Sequence, residues 1–220
     1  MDNFAMSYVE SRNEYFDNPR VEMLPFIPSD VTRVLDMGCG SGAFGALLKR
    51  SRVVEVIGVE VFSDAAERAR NVLDHVVIQN METDELELPH GYFDCITYND
   101  VIEHLCDPWM TVRKLSKFLR PGGYVVSSIP NIRYFDVFKD LLINKEWVYQ
   151  SDGVLDRTHL RFFTEKTIPR MFEEAGYEIL KLKGINCRRF PWKFRLLNFL
   201  GGGRLDDVRY RQFACVARLL

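Results

Sequence analysis

Short apolar runs alternate, over the first two thirds of the chain, with segments whose apolar residues recur every three or four positions. Arg33 to Met37 (RVLDM) is a run of the first kind, halted at Gly38, and predicts a buried strand. Ala43 to Arg50, after a glycine loop, has helical spacing. Val53 to Glu60 predicts a second strand, Ser63 and Asp64 are expected to cap a helix reaching about Leu73, and His75 to Gln79 predicts a third strand. Beyond a turn at Pro89-His90-Gly91 comes a fourth strand, Phe93 to Asn99. Trp109 to Leu119 returns to helical spacing, Pro121-Gly122-Gly123 stops it, and Tyr124 to Ile129 reads as a fifth strand. Strands alternating with helices imply βαβ units, hence a parallel sheet with helices on both faces.

The last third follows another rule. Pro130 to Arg161 has no clear period; a helix from about Thr167 to Ala175 ends at Gly176, and a strand follows at Tyr177 to Lys183. Residues 185–208 are basic, aromatic and glycine-rich, and a final strand covers Tyr210 to Arg218. At the other end, residues 1–30 carry aromatics and finish in Pro25-Phe26-Ile27-Pro28, which predicts a short helical cap leading into the first strand. Without an internal repeat or low-complexity linker, the expectation is one domain over 1–220, with 130–165 and 185–208 as insertions on the substrate side.

Composition narrows the field. Of 220 residues, 47% are hydrophobic and 27% charged, an ordinary globular balance, and the net charge of −2 argues against a nucleic-acid binder. The cysteines (Cys39, Cys95, Cys106, Cys187, Cys215) are odd in number and form no C-x-x-C pair, so they suggest neither a disulfide framework nor a zinc site but small hydrophobes in a reducing compartment. The polar, acidic start lacks the features of a leader peptide and no apolar run approaches a membrane span, so a cytoplasmic location is expected.

The sharpest chemical signal is Asp36-Met37-Gly38-Cys39-Gly40-Ser41-Gly42, between a strand and a helix. Glycines let a backbone approach a ligand closely. Gly40 to Gly45 also fits the G-x-G-x-x-G pattern of dinucleotide sites, so the loop alone leaves a NAD-dependent oxidoreductase open. Asp36 weighs against that: a pyrophosphate would meet a carboxylate, whereas S-adenosylmethionine brings an ammonium and a sulfonium. Glu60, at the end of the second strand, can accept both hydroxyls of a ribose.

VLDMGCGSG, VIGVE, FDCITYNDVIEHL and LRPGGYVVSSIPN together resemble the Rossmann-like class I S-adenosylmethionine-dependent methyltransferases over roughly residues 33–130. That resemblance implies a doubly wound, seven-stranded, mostly parallel sheet with the last strand antiparallel, pairing with Tyr177–Lys183. It also implies a ribose contact from Glu60 and an adenine pocket from Asn80, Met81 and Glu82; with Asp36, Gly38, Cys39, Gly40, Gly42, Val61 and Asn99 these are the expected cofactor residues. Asn80 stands where the family usually has Asp. More narrowly, YFDNPRVEMLPFIP and DRTHLRFFT are similar to chains tied to polysaccharide and O-antigen assembly, which suggests a sugar, glycan or nucleotide-sugar hydroxyl as acceptor.

An alcohol acceptor must lose a proton, so a base is expected near the emerging methyl. Asp100, Glu103 and His104 follow the fourth strand, with Asp100 and His104 sharing a face if that segment is helical. Two readings stand: a His104 base oriented by a carboxylate, or a divalent-metal site of Asp100, Glu103 and His104 suited to Mg²⁺, similar to the E-x-x-E-H motif of ubiquinone-pathway O-methyltransferases. His159, within Asp156–Thr164, is the second candidate base, and Arg157 or Arg161 could bind an acceptor phosphate. Residues 188–200 place Trp192, Leu196 and Phe199 on one stripe with Lys193 and Arg195 off it. This fits a membrane-surface helix, a lid, or a helix packing on its own domain or on a second copy in a homodimer, with Gly201-Gly202-Gly203 as a hinge. A non-catalytic S-adenosylmethionine-binding module remains a third class of function.

Overall fold

In the computed structural model, described for residues 16–190, 198–200 and 202–220, seven strands form one sheet in the order β3-β2-β1-β4-β5-β7-β6. They are β1 (Arg33–Met37), β2 (Glu55–Glu60), β3 (His75–Ile78), β4 (Phe93–Asn99), β5 (Leu119–Pro130), β6 (Tyr177–Cys187) and β7 (Tyr210–Leu219). The helices between them are α1 (Ala43–Ser51), α2 (Ser63–Ala69), α3 (Pro108–Leu115), α4 (Phe135–Lys139) and α5 (Thr167–Glu174). All neighbours from β3 to β5 are parallel, and β7 lies antiparallel between β5 and β6, as expected of a doubly wound sheet with a reversed last strand.

The order reverses between β1 and β4. Connections leave these two strands toward opposite sides, so a crevice opens at their carboxyl ends, the place where such sheets bind ligands. Successive residues explain why the central strands are apolar without a break. In β1, Val34 packs in the cluster holding Met23, Phe44, Val56 and Cys95, while Leu35 and Met37 pack in the opposite cluster with Ile57, Ile96 and Tyr98. Each of these central strands is covered on both faces.

Several boundaries differ from the sequence reading. The helix expected to reach Leu119 ends at Leu115. A 3₁₀ turn, Ser116–Phe118, follows, and β5 already begins at Leu119, running through Pro121-Gly122-Gly123. Asp107 caps α3 by accepting the Met110 N–H at 2.9 Å. Ser63 is the first residue of α2 rather than its cap, and that helix stops at Ala69. The stretch after Pro130, which lacks a period, contains α4 and one π turn, Asp140–Asn144. Of the N-terminal cap, residues 1–15 lie outside the described residues; Val21–Phe26 forms a 3₁₀ helix. Most of the 188–200 stripe and the first glycine of the hinge also lie outside them.

Asp94 ties the head of β4 to the entry of β1. Its carboxylate accepts the Thr32 N–H (2.9 Å), the Thr32 hydroxyl (2.8 Å), the Arg33 N–H (2.9 Å) and Arg120 Nε–H (2.7 Å). Burial would raise its pKa, but the bonds from Thr32, Arg120 and Arg33 outweigh it and hold the group at about 2. A carboxyl depressed from 3.8 contributes stability that is complete above the unfolded value and is lost as pH falls toward 2. That shift corresponds to about 2 kcal/mol. Asp94→Ala should therefore lower the urea-unfolding free energy at neutral pH by about 2 kcal/mol and flatten its acid dependence. Wild-type stability at neutral pH would contradict this account.

Candidate active site

The glycine loop closes the carboxyl end of β1. The N–H groups of Gly38 and Cys39 both reach the Val59 carbonyl, at 2.8 and 3.1 Å, which lashes the loop to β2. Gly40 has φ +55, and a Cβ there would come within 2.9 Å of the Phe16 carbonyl oxygen, so only glycine fits. Gly42, at φ +80, opens α1.

Asp36 and Glu60 stand on either side of this loop, both buried. Glu60 accepts the Gly40 N–H at 2.8 Å through one oxygen and the Val61 and Phe62 N–H groups, at 2.9 and 3.0 Å, through the other. It shapes the loop and still has lone pairs to offer. Asp36 accepts the Thr97 hydroxyl at 2.6 Å. Burial lifts its pKa to about 7, with the Thr97 bond opposing and the Glu60 charge adding to the rise. At the end of β4, both amide atoms of Asn99 are shielded from solvent and have no hydrogen-bond partner among the described residues. A buried acid held near neutrality and an orphaned amide, at the mouth of one crevice, suit a ligand bearing cationic and polar groups. An adenosyl amino-acid sulfonium fits that demand, and a diphosphate does not.

The other expected cofactor residues divide. Cys39 is a buried wall whose thiol is pushed far up by burial and the nearby carboxylates of Asp36 and Glu60. Val61 is exposed, with Met81 packed against the core edge. Asn80 folds its side-chain oxygen onto the Glu82 N–H at 2.9 Å. Glu82 accepts the N–H groups of Cys106 and Asp107 at 3.0 and 2.9 Å, so its carboxylate braces the turn before α3.

The Asp100–His104 reading needs correction. The segment is no α-helix: Asp100 has φ +54, and only Ile102–His104 forms a 3₁₀ turn. Asp100 accepts the Ser128 hydroxyl (2.7 Å) and the Gln212 amide (2.6 Å), and it pairs with Arg20. The oxygen-rich trio expected for Mg²⁺ is not assembled. Instead Glu103 meets both histidines. Its carbonyl accepts the Leu160 and Arg161 N–H groups at 2.8 and 3.0 Å, which draws the 156–164 loop against it. The side-chain ligand atoms of Glu103, His104 and His159 lie within 4.8 Å of one another, but one carboxylate and two imidazoles are a poor set for Mg²⁺.

This cluster is the candidate for acid–base chemistry. Glu103 is 1% exposed, and neither carboxyl oxygen has a hydrogen-bond partner among the described residues. Burial raises its pKa to about 8, against the pull of Arg20. His159 Nδ1 lies 3.0 Å from the Val154 carbonyl, which can only accept, so Nδ1 carries the proton and Nε2 keeps its lone pair. That Nε2 is 3.9 Å from Glu103 Oε1. His104 makes the same kind of bond to the Thr158 carbonyl at 3.2 Å, and the two rings meet edge to face at 4.7 Å. Burial lowers the pKa of both, keeping them neutral.

Two residues escaped the sequence reading. The Phe16 carbonyl accepts both the N–H and the hydroxyl of Ser41, at 3.3 and 2.9 Å, and its ring meets Phe62 at 5.5 Å. Arg20, at φ +47, brings a guanidinium to Asp100. The 16–20 segment thus bridges the crevice from the glycine loop to β4. Its local structural signal, inside the YFDNPRVEMLPFIP stretch, is the turn Asn18-Pro19-Arg20, where the Asn18 side chain accepts the Arg20 N–H at 3.1 Å.

Comparison with known proteins agrees with this fold. Residues 8–182 match a family model described as a methyltransferase domain. The ubiquinone biosynthesis O-methyltransferase of Aeromonas salmonicida is 28% identical, the match covering 81% of this chain and 74% of that protein. The one from Neisseria meningitidis is 28% identical, covering 83% and 76%. A crystallised S-adenosylmethionine-dependent methyltransferase from Archaeoglobus fulgidus superimposes with a TM-score of 0.67 at 20% identity, covering 99% of this chain and all of that one, and so shares the fold. These relatives lend no support to the narrower polysaccharide resemblance. Together with the sheet and its loop, they exclude the oxidoreductase reading: the chain belongs to the methyltransferase-domain family and is an S-adenosylmethionine-dependent methyltransferase.

Proposed function

We propose that this enzyme methylates a hydroxyl oxygen of a small acceptor, with His159 as the proton acceptor. The observation that carries the reading is the buried Glu103 carboxyl, unpartnered and facing the free lone pair of His159 across 3.9 Å. In this reading Glu60 takes the cofactor ribose, Asn99 and the ionised Asp36 meet its amino-acid end, and Arg20 is the cation placed to meet its carboxylate. When bound, the cofactor supplies an electrophilic methyl on a thioether leaving group. With it bound, His159 Nε2 would take the proton that the acceptor hydroxyl gives up as its oxygen receives the methyl. The positive charge on the ring would then be met by Glu103 where its carboxyl is already ionised, above about 8. The Val154 carbonyl fixes the ring.

The aromatic pairs Trp109–Phe163 and Trp147–Phe162, with centroids 6.2 and 5.9 Å apart, flank the 156–164 loop and favour a flat aromatic alcohol over a sugar. The relatives named for ubiquinone biosynthesis point the same way. Release of S-adenosylhomocysteine, measured with catechols, simple phenols, sugars and nucleotide-sugars, tests this. Turnover is expected with phenolic hydroxyls. Transfer only to amines or thiols would overturn oxygen as the target, and turnover only with sugars would overturn the aromatic acceptor.

A further inference from the structure

Arg20 is held from behind by groups on three strands. Its guanidinium pairs through Nη2 with Oδ2 of Asp100. The other carboxylate oxygen, Oδ1, is taken twice, by the Ser128 hydroxyl at 2.7 Å and by the Gln212 amide at 2.6 Å. Two donors on one oxygen fix the turn of the carboxyl group and leave Oδ2 for Arg20. The amide of Gln212 is fixed in turn. A carboxylate only accepts, so the Gln212 nitrogen faces Asp100, and its Oε1 is left to accept from Asn186 Nδ2 at 2.7 Å. Asn186 on β6 thus orients Gln212 on β7, and Gln212 orients the carboxylate that meets Arg20 in the 16–20 segment.

Stability alone does not ask for this amide. Gln212 is 7% exposed and begins the buried run that ends at Ala217, on a strand paired on both sides. An apolar side chain there would leave no polar atom to satisfy. The backbone of Arg20 is secured locally: Asn18 accepts its N–H at 3.1 Å, and its carbonyl accepts the Met23 N–H at 2.8 Å. The far end of its side chain depends on Asp100, since Glu22 lies 3.9 Å away. An arginine side chain carries much rotamer freedom, and an anchor that holds it before the ligand arrives lowers the cost of binding. One pairing still leaves most of the five N–H donors of a guanidinium for a second carboxylate. We infer that Gln212 is a positioning residue for the cofactor. On the reading above in which Arg20 meets the cofactor's carboxylate, Gln212 acts through Asp100 to hold Arg20 ready. It thereby makes the site prefer an adenosyl sulfonium that carries a carboxylate over one that lacks it.

Calorimetric titration of the full chain with S-adenosylmethionine and with decarboxylated S-adenosylmethionine tests this, because the two differ only in that carboxylate. Gln212→Leu should weaken S-adenosylmethionine binding by roughly tenfold and leave the decarboxylated compound unchanged, so that the ratio of the two affinities collapses. Equal weakening of both ligands would reduce Gln212 to packing and overturn the proposal. Asn186→Asp is the second variant, and it decides if Gln212→Leu fails to fold. The position is exposed and has φ +53, which Asp tolerates, and the change removes the donor that orients the amide. It should lower the same ratio by roughly threefold. Arg20→Ala separates the two levels. If it abolishes the preference while Gln212→Leu keeps it, Arg20 meets the carboxylate unaided and only the positioning role falls. If the preference survives Arg20→Ala, the carboxylate is held elsewhere, and the assignment of Arg20 falls together with the role of Gln212.

Discussion

Replacing His159 by Asn should lower kcat by about 10²- to 10⁴-fold, the range a positioned base contributes, and leave S-adenosylmethionine affinity unchanged. The Asn side chain can still donate toward the Val154 carbonyl, so the 156–164 loop keeps its anchor while the lone pair of Nε2 is gone. The pH dependence sharpens the test. Glu103 ionises near 8 in the resting site, and the two histidines titrate below their ordinary value. The rate should therefore rise with pH, first as the imidazoles lose their protons and again near 8 as Glu103 becomes the carboxylate that receives the imidazolium. Glu103→Gln should abolish the upper limb and keep the lower one. His104→Ala, which removes the neighbouring ring at 4.7 Å, should cost less than His159→Asn. Full activity in folded His159→Asn would remove the base from the mechanism.

How far the sequence foretold this site depends on distance along the chain. Strands β1, β2 and β4 were legible because a buried parallel strand writes itself as an apolar run that stops at Gly or an acid, and Asp36, Glu60 and Asn99 lie at those stops. The glycine loop was legible for the same local reason. The bend at Asp100 was not, because Ser128 and Gln212, 28 and 112 residues away, hold its left-handed backbone. Periodicity alone made Asp100 and His104 neighbours, and tertiary hydrogen bonds separated them. The meeting of Glu103 with His159 likewise rests on bonds from Leu160 and Arg161 across more than fifty residues. β6 was underestimated at Cys187 because, as an edge strand, it pairs with β7 alone and leaves Glu178, Lys181 and Lys183 exposed, which erases the apolar signal. Arg20 reaches Asp100 across eighty residues, and only the local turn Asn18-Pro19-Arg20 marks it.

Glu60→Ala should weaken S-adenosylmethionine binding by about a hundredfold or more, since two hydrogen bonds to a charged acceptor, each contributing about 1.5–3 kcal/mol, are lost together. The substitution also strands the N–H groups of Gly40, Val61 and Phe62, so a melting curve of the cofactor-free variant serves as the folding control. Asp36 adds a pH signature. In the free enzyme its carboxyl holds a proton up to about 7. A bound cation favours the ionised form, so binding below that value must expel the proton, and affinity should fall up to about tenfold for each unit of pH below it. Calorimetric titration from acid to neutral pH should show affinity rising and levelling off above about 7, with the slope gone in Asp36→Asn. S-adenosylhomocysteine, which lacks the sulfonium charge, should show a shallower slope. A cofactor affinity indifferent to both acids would show that the crevice between β1 and β4 holds its ligand by shape alone, and the argument from buried charge would fall with it.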